Sequence, residues 1–195
     1  MRKFYSKSMW SLFLGTAGLL SATTLQAQDP VNMNWKGTIS TDATNANNWE
    51  PATGMDGNNL NFGHVGTYAD PENPNFAVIS RDSEISVNSI SVAGPYYFEE
   101  PVLDEDGNPV LDENEVPLVT IVEHPRGEVT FSMPDGIAFK TTTTGSVYIE
   151  GKLTVNSGNL NINRSIYFEK VASELIIEGS GRMSVGKDGY FLIGP

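Results

Sequence analysis

One pattern recurs nine times in the C-terminal third of the sequence and constrains the fold more than any other feature. Two apolar residues stand two positions apart, with one residue, usually polar, between them. Alternate side chains of an extended chain point to the same side, so each apolar pair indicates the inner face of one short strand. Glycine, asparagine, serine or aspartate fills most of the gaps, which is typical of turns. The nine pairs are Val129/Phe131, Ile137/Phe139, Val147/Ile149, Leu153/Val155, Leu160/Ile162, Ile166/Phe168, Leu175/Ile177, Met183/Val185 and Phe191/Ile193.

The spacing of these pairs predicts an all-β fold and favours one architecture within it. Three successive intervals cover 19 residues from Val147 to Ile166 and 23 residues from Leu160 to Met183. A repeat of roughly 20–25 residues suits stacked coils with three strands each, so we expect a right-handed parallel β-helix, which is a solenoid. The gaps mostly lack the Asn-Gly and Asp-Gly pairs of two-residue hairpins. A β-sandwich of antiparallel hairpins is the alternative.

The N-terminal 27 residues are predicted to be a signal peptide. Three basic residues precede an apolar stretch from Trp10 to Leu20, and Leu25-Gln26-Ala27 resembles a small-residue cleavage site. The apolar stretch is too short to cross a bilayer comfortably. We therefore expect an exported protein, extracellular or at the cell surface, with no membrane span in the mature chain.

The net charge and the absence of cysteine exclude several classes of partner and of metal site. Three of the 12 basic residues lie in the predicted signal peptide and all 24 acidic residues follow it, so residues 28–195 carry a net charge of −15. A field of that sign repels nucleic acid and anionic lipid, and neither is an expected partner. The absence of cysteine excludes disulfides and thiolate metal sites.

The mature chain is expected to divide into two parts. Residues 28–75 are rich in tryptophan, asparagine and glycine and are predicted to form an N-terminal cap, and residues 76–195 are predicted to form the solenoid. An acidic loop insertion at 99–116 interrupts the solenoid; it contains Val-Leu-Asp at 102–104 and again at 110–112. It is expected to be a small protruding hairpin or a solvated loop.

The acidic insertion also contains a candidate Ca²⁺ site. Asp104, Asp106 and Asn108 occupy positions 1, 3 and 5 of a count like that of an EF-hand loop, and Glu115 falls at position 12. Oxygen ligands at alternate positions suit Ca²⁺. However, Pro109 replaces the glycine of position 6, and a solvated loop is the alternative. The sequence predicts no other cofactor.

Aromatic residues beside the insertion are candidates for ligand binding. Tyr96, Tyr97 and Phe98 offer flat apolar faces on which a sugar ring can stack. Trp35 and Trp49 have the same chemistry, but a tryptophan usually hides most of its area, so we expect these two to close the first coil.

The sequence predicts no catalytic residues. His64 and His124 stand alone, without the spacing of a metal site, and are expected at the surface or in turns. A pair of carboxylates suited to glycoside hydrolysis needs a separation of roughly 5–10 Å, which some of the 24 acids will meet by chance. We therefore expect a protein that is not an enzyme, with polysaccharide processing as the less favoured alternative.

A resemblance to a known family comes from the segment 34–94. It contains Trp35-Lys36-Gly37, then Asn47-Asn48-Trp49-Glu50-Pro51, then Asp56-Gly57-Asn58-Asn59-Leu60-Asn61-Phe62. This order resembles the opening of large secreted β-helix proteins of the autotransporter-associated repeat and Bacteroidetes cell-surface types. Ile85 to Gly94 resembles the coil that follows in such proteins. The resemblance implies a right-handed parallel β-helix at the cell surface, with a role in adhesion or matrix contact.

The functional prediction follows from these features together. We expect a secreted, non-enzymatic β-solenoid that serves as a structural or adhesive surface protein; the alternative is a module that binds or processes carbohydrate. The last pair, Phe191/Ile193, would leave an apolar solenoid edge, and a glycan or another protein is the expected partner there.

Overall fold

The fold is all-β, as the apolar pairs predict. The computed structural model describes residues 29–64, 68–70, 74–170 and 173–194, so the predicted signal peptide lies outside the described residues. Within these ranges the helical structure is one 3-10 turn, Ala46–Asn48. The strands are β1 (Asn32–Trp35), β2 (Trp49–Glu50), β3 (Asn59–Phe62), β4 (Ala77–Ile79), β5 (Ile85–Val87), β6 (Ser89–Val92), β7 (Tyr96–Pro101), β8 (Val119–His124), β9 (Glu128–Ser132), β10 (Ala138–Thr141), β11 (Val147–Ile149), β12 (Lys152–Ser157), β13 (Asn159–Ile162), β14 (Ile166–Phe168), β15 (Glu174–Ile177), β16 (Arg182–Val185) and β17 (Phe191–Ile193).

Three mostly parallel sheets account for all strands except β7 and β8. The first sheet has the order β17-β14-β11-β6-β3-β1-β2, the second β16-β13-β10-β5 and the third β15-β12-β9-β4. From β4 onward the chain visits the third, second and first sheets in fixed rotation. Antiparallel pairing between described strands is confined to β1 with β2 and β7 with β8. The pairing is therefore not that of the antiparallel hairpins in the sandwich alternative.

The apolar pairs lie in register on neighbouring strands. Val147 of β11 pairs with Ile166 of β14, and Ile166 pairs with Phe191 of β17. In the third sheet Leu153 pairs with both Val129 and Leu175. Equivalent side chains thus lie above one another, and each new strand extends the same buried column. Successive strands belong to the three sheets in turn and pair in register with earlier strands. The intervals between apolar pairs therefore vary only with the lengths of the turns.

Burial decreases along this stack toward its last strands. The side chains of Leu153 and Leu160 are fully buried, whereas Leu175 and Met183 are only partly buried against the core. On β17, Ile193 is 79% exposed. The expectation of an apolar edge at Phe191/Ile193 agrees with these exposures, and the expected partner there stays a prediction.

The segment predicted to be an N-terminal cap adds strands to the first sheet and buries its tryptophans. β3 pairs in parallel with β1 on one side and with β6 on the other. Trp35 and Trp49 meet edge to face with their ring centroids 5.2 Å apart, and Phe62 packs against Trp49 at 5.3 Å. The indole N–H of Trp35 donates to the carbonyl of Asn75 at 2.6 Å, and that of Trp49 donates to the carbonyl of Ala43 at 2.8 Å. Both rings are therefore buried in the core and offer no face to a ligand, while their closing of a first coil stays a prediction.

A buried asparagine fixes the loop between these two tryptophans. The Asn48 side chain is fully buried and makes four hydrogen bonds. Its Oδ1 accepts from the N–H groups of Ile39 at 2.7 Å and Ser40 at 3.2 Å. Its Nδ2 donates to Ser40 Oγ at 3.1 Å and to the Asp42 carbonyl at 2.9 Å. Because buried amide groups must be satisfied, this one side chain determines the path of residues 39–42.

Close approach of two neighbouring turns favours glycine at one position. Gly145 lies in the turn before β11, where a Cβ atom would overlap the backbone carbonyl of Asn88 in the turn before β6. A backbone oxygen cannot move aside as a flexible side chain can. A side chain at residue 145 would therefore force the two turns apart.

Candidate functional site

The predicted aromatic ligand site lies at the root of a protruding hairpin. Strands β7 and β8 form a separate two-stranded antiparallel sheet, and two turns at residues 102–118 connect them. We call residues 96–124 the arm. The loop insertion predicted at 99–116 is thus the outer part of a hairpin, which is one of its two predicted forms.

The three aromatic residues of β7 do not form one surface. Successive side chains of a strand point to opposite faces, so Tyr96 and Phe98 lie on one face, with ring centroids 6.1 Å apart, and Tyr97 lies on the other. Tyr97 is 64% exposed, whereas Tyr96 is partly buried. A single sugar ring therefore cannot stack on all three.

Tyr96 anchors the arm to the core through His124. The two rings stack with centroids 4.4 Å apart, and Tyr68 stacks on His124 at 5.8 Å. His124 is only 5% exposed. The expectation of a surface or turn position is therefore wrong for His124, because the end of β8 carries its ring between two tyrosines. Nothing in the sequence around this isolated histidine indicates that packing.

A cleft of about 590 Å³ opens at the root of the arm, against the outer face of the first sheet. Tyr96 contributes to it from the arm, and Tyr148 of β11 contributes from the sheet. Tyr148 stacks on Tyr167 of β14 with centroids 4.8 Å apart and planes 8° apart, and its side chain is 38% exposed. The cleft is lined by His64, Ser91, Ala93, Gly94, Pro95, Tyr96, Tyr148, Glu150, Glu169 and Lys170.

The cleft also contains two carboxylates on neighbouring strands. Glu150 directly follows β11 and Glu169 directly follows β14, and the register of these strands sets the two residues side by side. Adjacent strands are roughly 4.8 Å apart, so the two groups share one patch of negative charge. The arrangement suits hydrogen bonding to hydroxyl groups or attraction of a cation.

The histidine of the cleft is partly buried beside a serine hydroxyl. His64 Nε2 lies 3.0 Å from Ser91 Oγ. Burial lowers the pKa of His64 below its ordinary value of 6.5, and the negative charge of Glu150 opposes that shift in part. Because the ring lines a cleft and is only partly exposed, the expectation of a surface position holds for His64 only in part.

Sequence reasoning missed the three residues that define this cleft with Tyr96. Tyr148 is the middle residue of one apolar pair, while Glu150 and Glu169 each follow the second member of a pair. These positions are recognisable in the sequence once the pairs are taken as strands, because alternation points both the middle residue of a pair and the residue after the pair outward. Because the chain has 24 acidic residues, Glu150 and Glu169 cannot be singled out unless the strand register is known.

The predicted Ca²⁺ ligands lie in the two turns at the tip of the arm. Asp104 Oδ1 accepts from the backbone N–H groups of Asp106 at 3.0 Å and Asn108 at 2.8 Å. These hydrogen bonds, above all that from Asn108, lower the pKa of Asp104. Glu115 lies in the following turn, in the left-handed region with φ 64°. The structure therefore divides the four predicted ligands between two turns, and the carboxylate of Asp104 is already hydrogen-bonded within its own turn.

The two turns are related in sequence, because the octapeptides 102–109 and 110–117 are identical at five of eight positions. Asp112 repeats the role of Asp104, since its Oδ1 accepts from the N–H groups of Asn114 at 2.8 Å and Val116 at 2.9 Å. Gly107 and Glu115 occupy equivalent positions, and both have positive φ. A ring of backbone hydrogen bonds of 2.7–2.8 Å joins residues 102, 110 and 118. The repeated Val-Leu-Asp in the sequence is thus the signature of a repeated, ordered turn.

Metal ligation has no further candidates in the part of the chain that the structure describes. Within it, no group of three or more histidine and acidic side chains is arranged to hold an ion. The predicted Ca²⁺ site stays a prediction, tested by a melting temperature that rises with millimolar Ca²⁺ and falls with chelator.

Comparison with known proteins adds no relative. No protein-family model, curated protein or solved structure matches the chain. The described portion also offers no helical segment that could serve as a bilayer span. Function must therefore be argued from the geometry of the sheets, the cleft and the arm.

Proposed function

We propose that this chain is an exported right-handed parallel β-helix that acts, without catalysis, as a structural or adhesive protein at the cell surface or outside the cell. The observation that carries the proposal is the rotation of strands β4–β6 and β9–β17 through three sheets with parallel pairing in register. Parallel crossovers within a sheet are almost always right-handed, which supports that hand for the coil. The segment that resembles secreted β-helix surface proteins supplies strands at one end of the same stack.

An adhesive role is supported by what the stack presents to solvent. The arm projects exposed apolar and acidic side chains, and the outer face of the first sheet carries an ordered column of asparagine and tyrosine side chains. In that column Asn59 Nδ2 donates to Asn32 Oδ1 at 2.8 Å, and Asn61 Nδ2 donates to Asn34 Oδ1 at 3.1 Å. Side chains ordered by the repeat form a rigid, extended contact surface, as in other solenoids.

The fold and export parts of the proposal are tested on the exported chain. Mass spectrometry of the secreted protein is expected to find Gln28 as its first residue, and circular dichroism is expected to show strand with little helix. Substantial helix would overturn the β-helix, and an uncleaved, retained chain would overturn export. Adhesion of cells that display the protein, compared with cells that lack it, tests the adhesive role. Equal adhesion of the two would remove that role.

Carbohydrate binding is a second candidate, favoured by the cleft at the root of the arm. An aromatic ring beside carboxylates is the usual surface for a sugar, with stacking on the ring and hydrogen bonds to the hydroxyl groups. Tyr148 and Glu150 provide that combination. A glycan array probed with wild-type protein, Tyr148→Ala and Tyr97→Ala distinguishes the surfaces. Loss of binding in Tyr148→Ala alone assigns the cleft, loss in Tyr97→Ala alone assigns the arm, and a blank array with wild-type protein removes this candidate.

A further inference from the structure

The charge of the arm is of one sign. Nine carboxylate side chains lie between Tyr96 and His124, and no lysine or arginine is among them. Large apolar side chains are exposed on the same element, with Tyr97 at 64%, Ile121 at 70% and Leu103 at 54%. Apolar groups clustered on an exposed surface indicate an interaction site, and the charge indicates a cationic partner.

Neither strand of the arm pairs with a further strand in the described part of the chain. An edge strand presents unpaired N–H and C=O groups that another extended chain can pair with, and an isolated two-stranded sheet is only marginally stable. An added strand would therefore satisfy backbone groups and stabilise the arm.

The arm has internal contacts at its root and at its tip. At its root His124 is stacked between Tyr96 and Tyr68. At its tip Asp104 and Asp112 each accept two backbone N–H groups of their own turns. A preformed edge loses less conformational entropy on binding than a mobile loop does.

The sequence of β7 indicates which strand would fit beside it. Tyr97 and Phe98 are followed by Glu99 and Glu100, and neighbouring residues point to opposite faces of the sheet. Each face of a third strand beside β7 would therefore meet one aromatic ring and one carboxylate. The complementary strand has two apolar residues followed by two basic ones.

We propose that the β7 edge of the arm binds an extended, cationic segment of a partner protein by strand addition. Backbone hydrogen bonds to the open edge would supply affinity, while Tyr97, Phe98, Glu99 and Glu100 would select alternating pairs of apolar and basic side chains. This inference rests on the proposed adhesive function, because it names the class of partner that the surface holds.

The test uses residues 28–195, labelled with ¹⁵N, and the acetylated peptide Val-Val-Lys-Lys-Val-Val-Lys-Lys. We expect saturable binding, with chemical-shift changes concentrated in β7 and β8. Glu99→Gln with Glu100→Gln is expected to weaken binding about tenfold, because two partly desolvated ion pairs are lost. The matched control, Glu178→Gln with Asp188→Asn, removes the same charge from exposed positions outside the arm and is expected to leave affinity within about twofold.

A second pair of variants tests the apolar contact. Tyr97→Ser is expected to weaken peptide binding. Ile39→Ser removes a 59% exposed side chain that is distant in sequence from the arm, and it is expected to have no effect. Ser-Ser-Lys-Lys-Ser-Ser-Lys-Lys should bind more weakly and Val-Val-Glu-Glu-Val-Val-Glu-Glu should not bind. Shift changes outside the arm, equal binding of the serine peptide, or no saturation by about 1 mM peptide would each overturn the inference.

Two variants of the arm separate this inference from the proposed function. Replacing residues 102–118 by Asn-Gly shortens the arm but keeps the β7 edge, and deleting 97–123 with a glycine linker removes the edge. If display of the deletion variant still supports adhesion while the stack remains folded by circular dichroism, strand addition is wrong and the adhesive proposal stands. If the wild-type protein binds the peptide but supports no adhesion, the adhesive proposal fails instead.

Discussion

Replacing Asn48 by alanine should strongly destabilise the N-terminal part of the stack. The substitution removes four hydrogen bonds of 2.7, 2.9, 3.1 and 3.2 Å from a side chain that is fully buried. Each bond contributes about 0.5–1.5 kcal/mol net, and a freed group that water cannot reach costs more. Ile39 is 59% exposed, so some freed groups will be hydrated. We therefore expect a loss of about 3 kcal/mol in the free energy of unfolding.

The measurement is urea unfolding of residues 28–195 followed by tryptophan fluorescence. Trp35 and Trp49 are then the fluorescent tryptophans, and both pack beside the loop that Asn48 holds. With a slope of roughly 2 kcal/mol per M, the midpoint should fall by about 1.5 M at unchanged slope. Asn47→Ala is the matched control, because Asn47 is the exposed neighbour of the same residue type. Its substitution should change the free energy by less than about 0.5 kcal/mol. Equal effects of the two substitutions would refute the structural role given to Asn48.

Three further predictions follow from single positions. Gly145→Ala should lower the free energy of unfolding by about 2–3 kcal/mol, because its Cβ overlaps a backbone oxygen, whereas Gly54→Ala, which meets open space, should be neutral in the same urea titration. Burial lowers the pKa of His64, so the imidazole binds a proton more tightly in the unfolded chain than in the folded one. The contribution of neutral His64 to the free energy of unfolding is therefore complete above about pH 6.5 and is lost as the pH falls below that value. His64→Asn should flatten stability against pH in that acidic window, and an unchanged profile would contradict the pKa direction. Glu115→Gly should stabilise the second turn of the arm by about 1 kcal/mol, since a non-glycine residue there has φ 64°, and slower amide hydrogen exchange confined to 110–117 would measure it.

The strands could be predicted from the sequence because the core is built from a local pattern. Each apolar pair lies on a strand or, for Ile137, immediately before one, since alternation alone decides which side chains can be buried. The parallel pairing was favoured by the intervals between pairs. What the intervals cannot give is the contact between distant segments, such as Asn75 with Trp35 or Asn88 with Gly145.

The candidate site was predicted only in part, because it depends on contacts between distant segments of the chain. The arm was recognisable from its acidic, proline-punctuated sequence, and Tyr96 does line a cleft. However, Tyr97 points away from Tyr96 because the segment is a strand rather than a loop. The prediction for His124 was wrong because one ring partner, Tyr68, is distant in the sequence. The other partner, Tyr96, was predicted to bind a ligand instead. Local patterns predict burial well, whereas contacts across sheets depend on register.

The way the arm leaves the stack has an evolutionary consequence. Strands on either side of it pair in register although their partners are 52 to 57 positions apart, against 19 to 30 positions where no arm intervenes. The register of the sheets is therefore kept despite the extra residues between β6 and β9. A gene for this fold could exchange residues 97–123 by one in-frame change while Tyr96 and His124 keep their packing against the core. Descendants of a common ancestor should accordingly vary most in length and sequence here, and a population of such genes could diversify its contacts while conserving one scaffold.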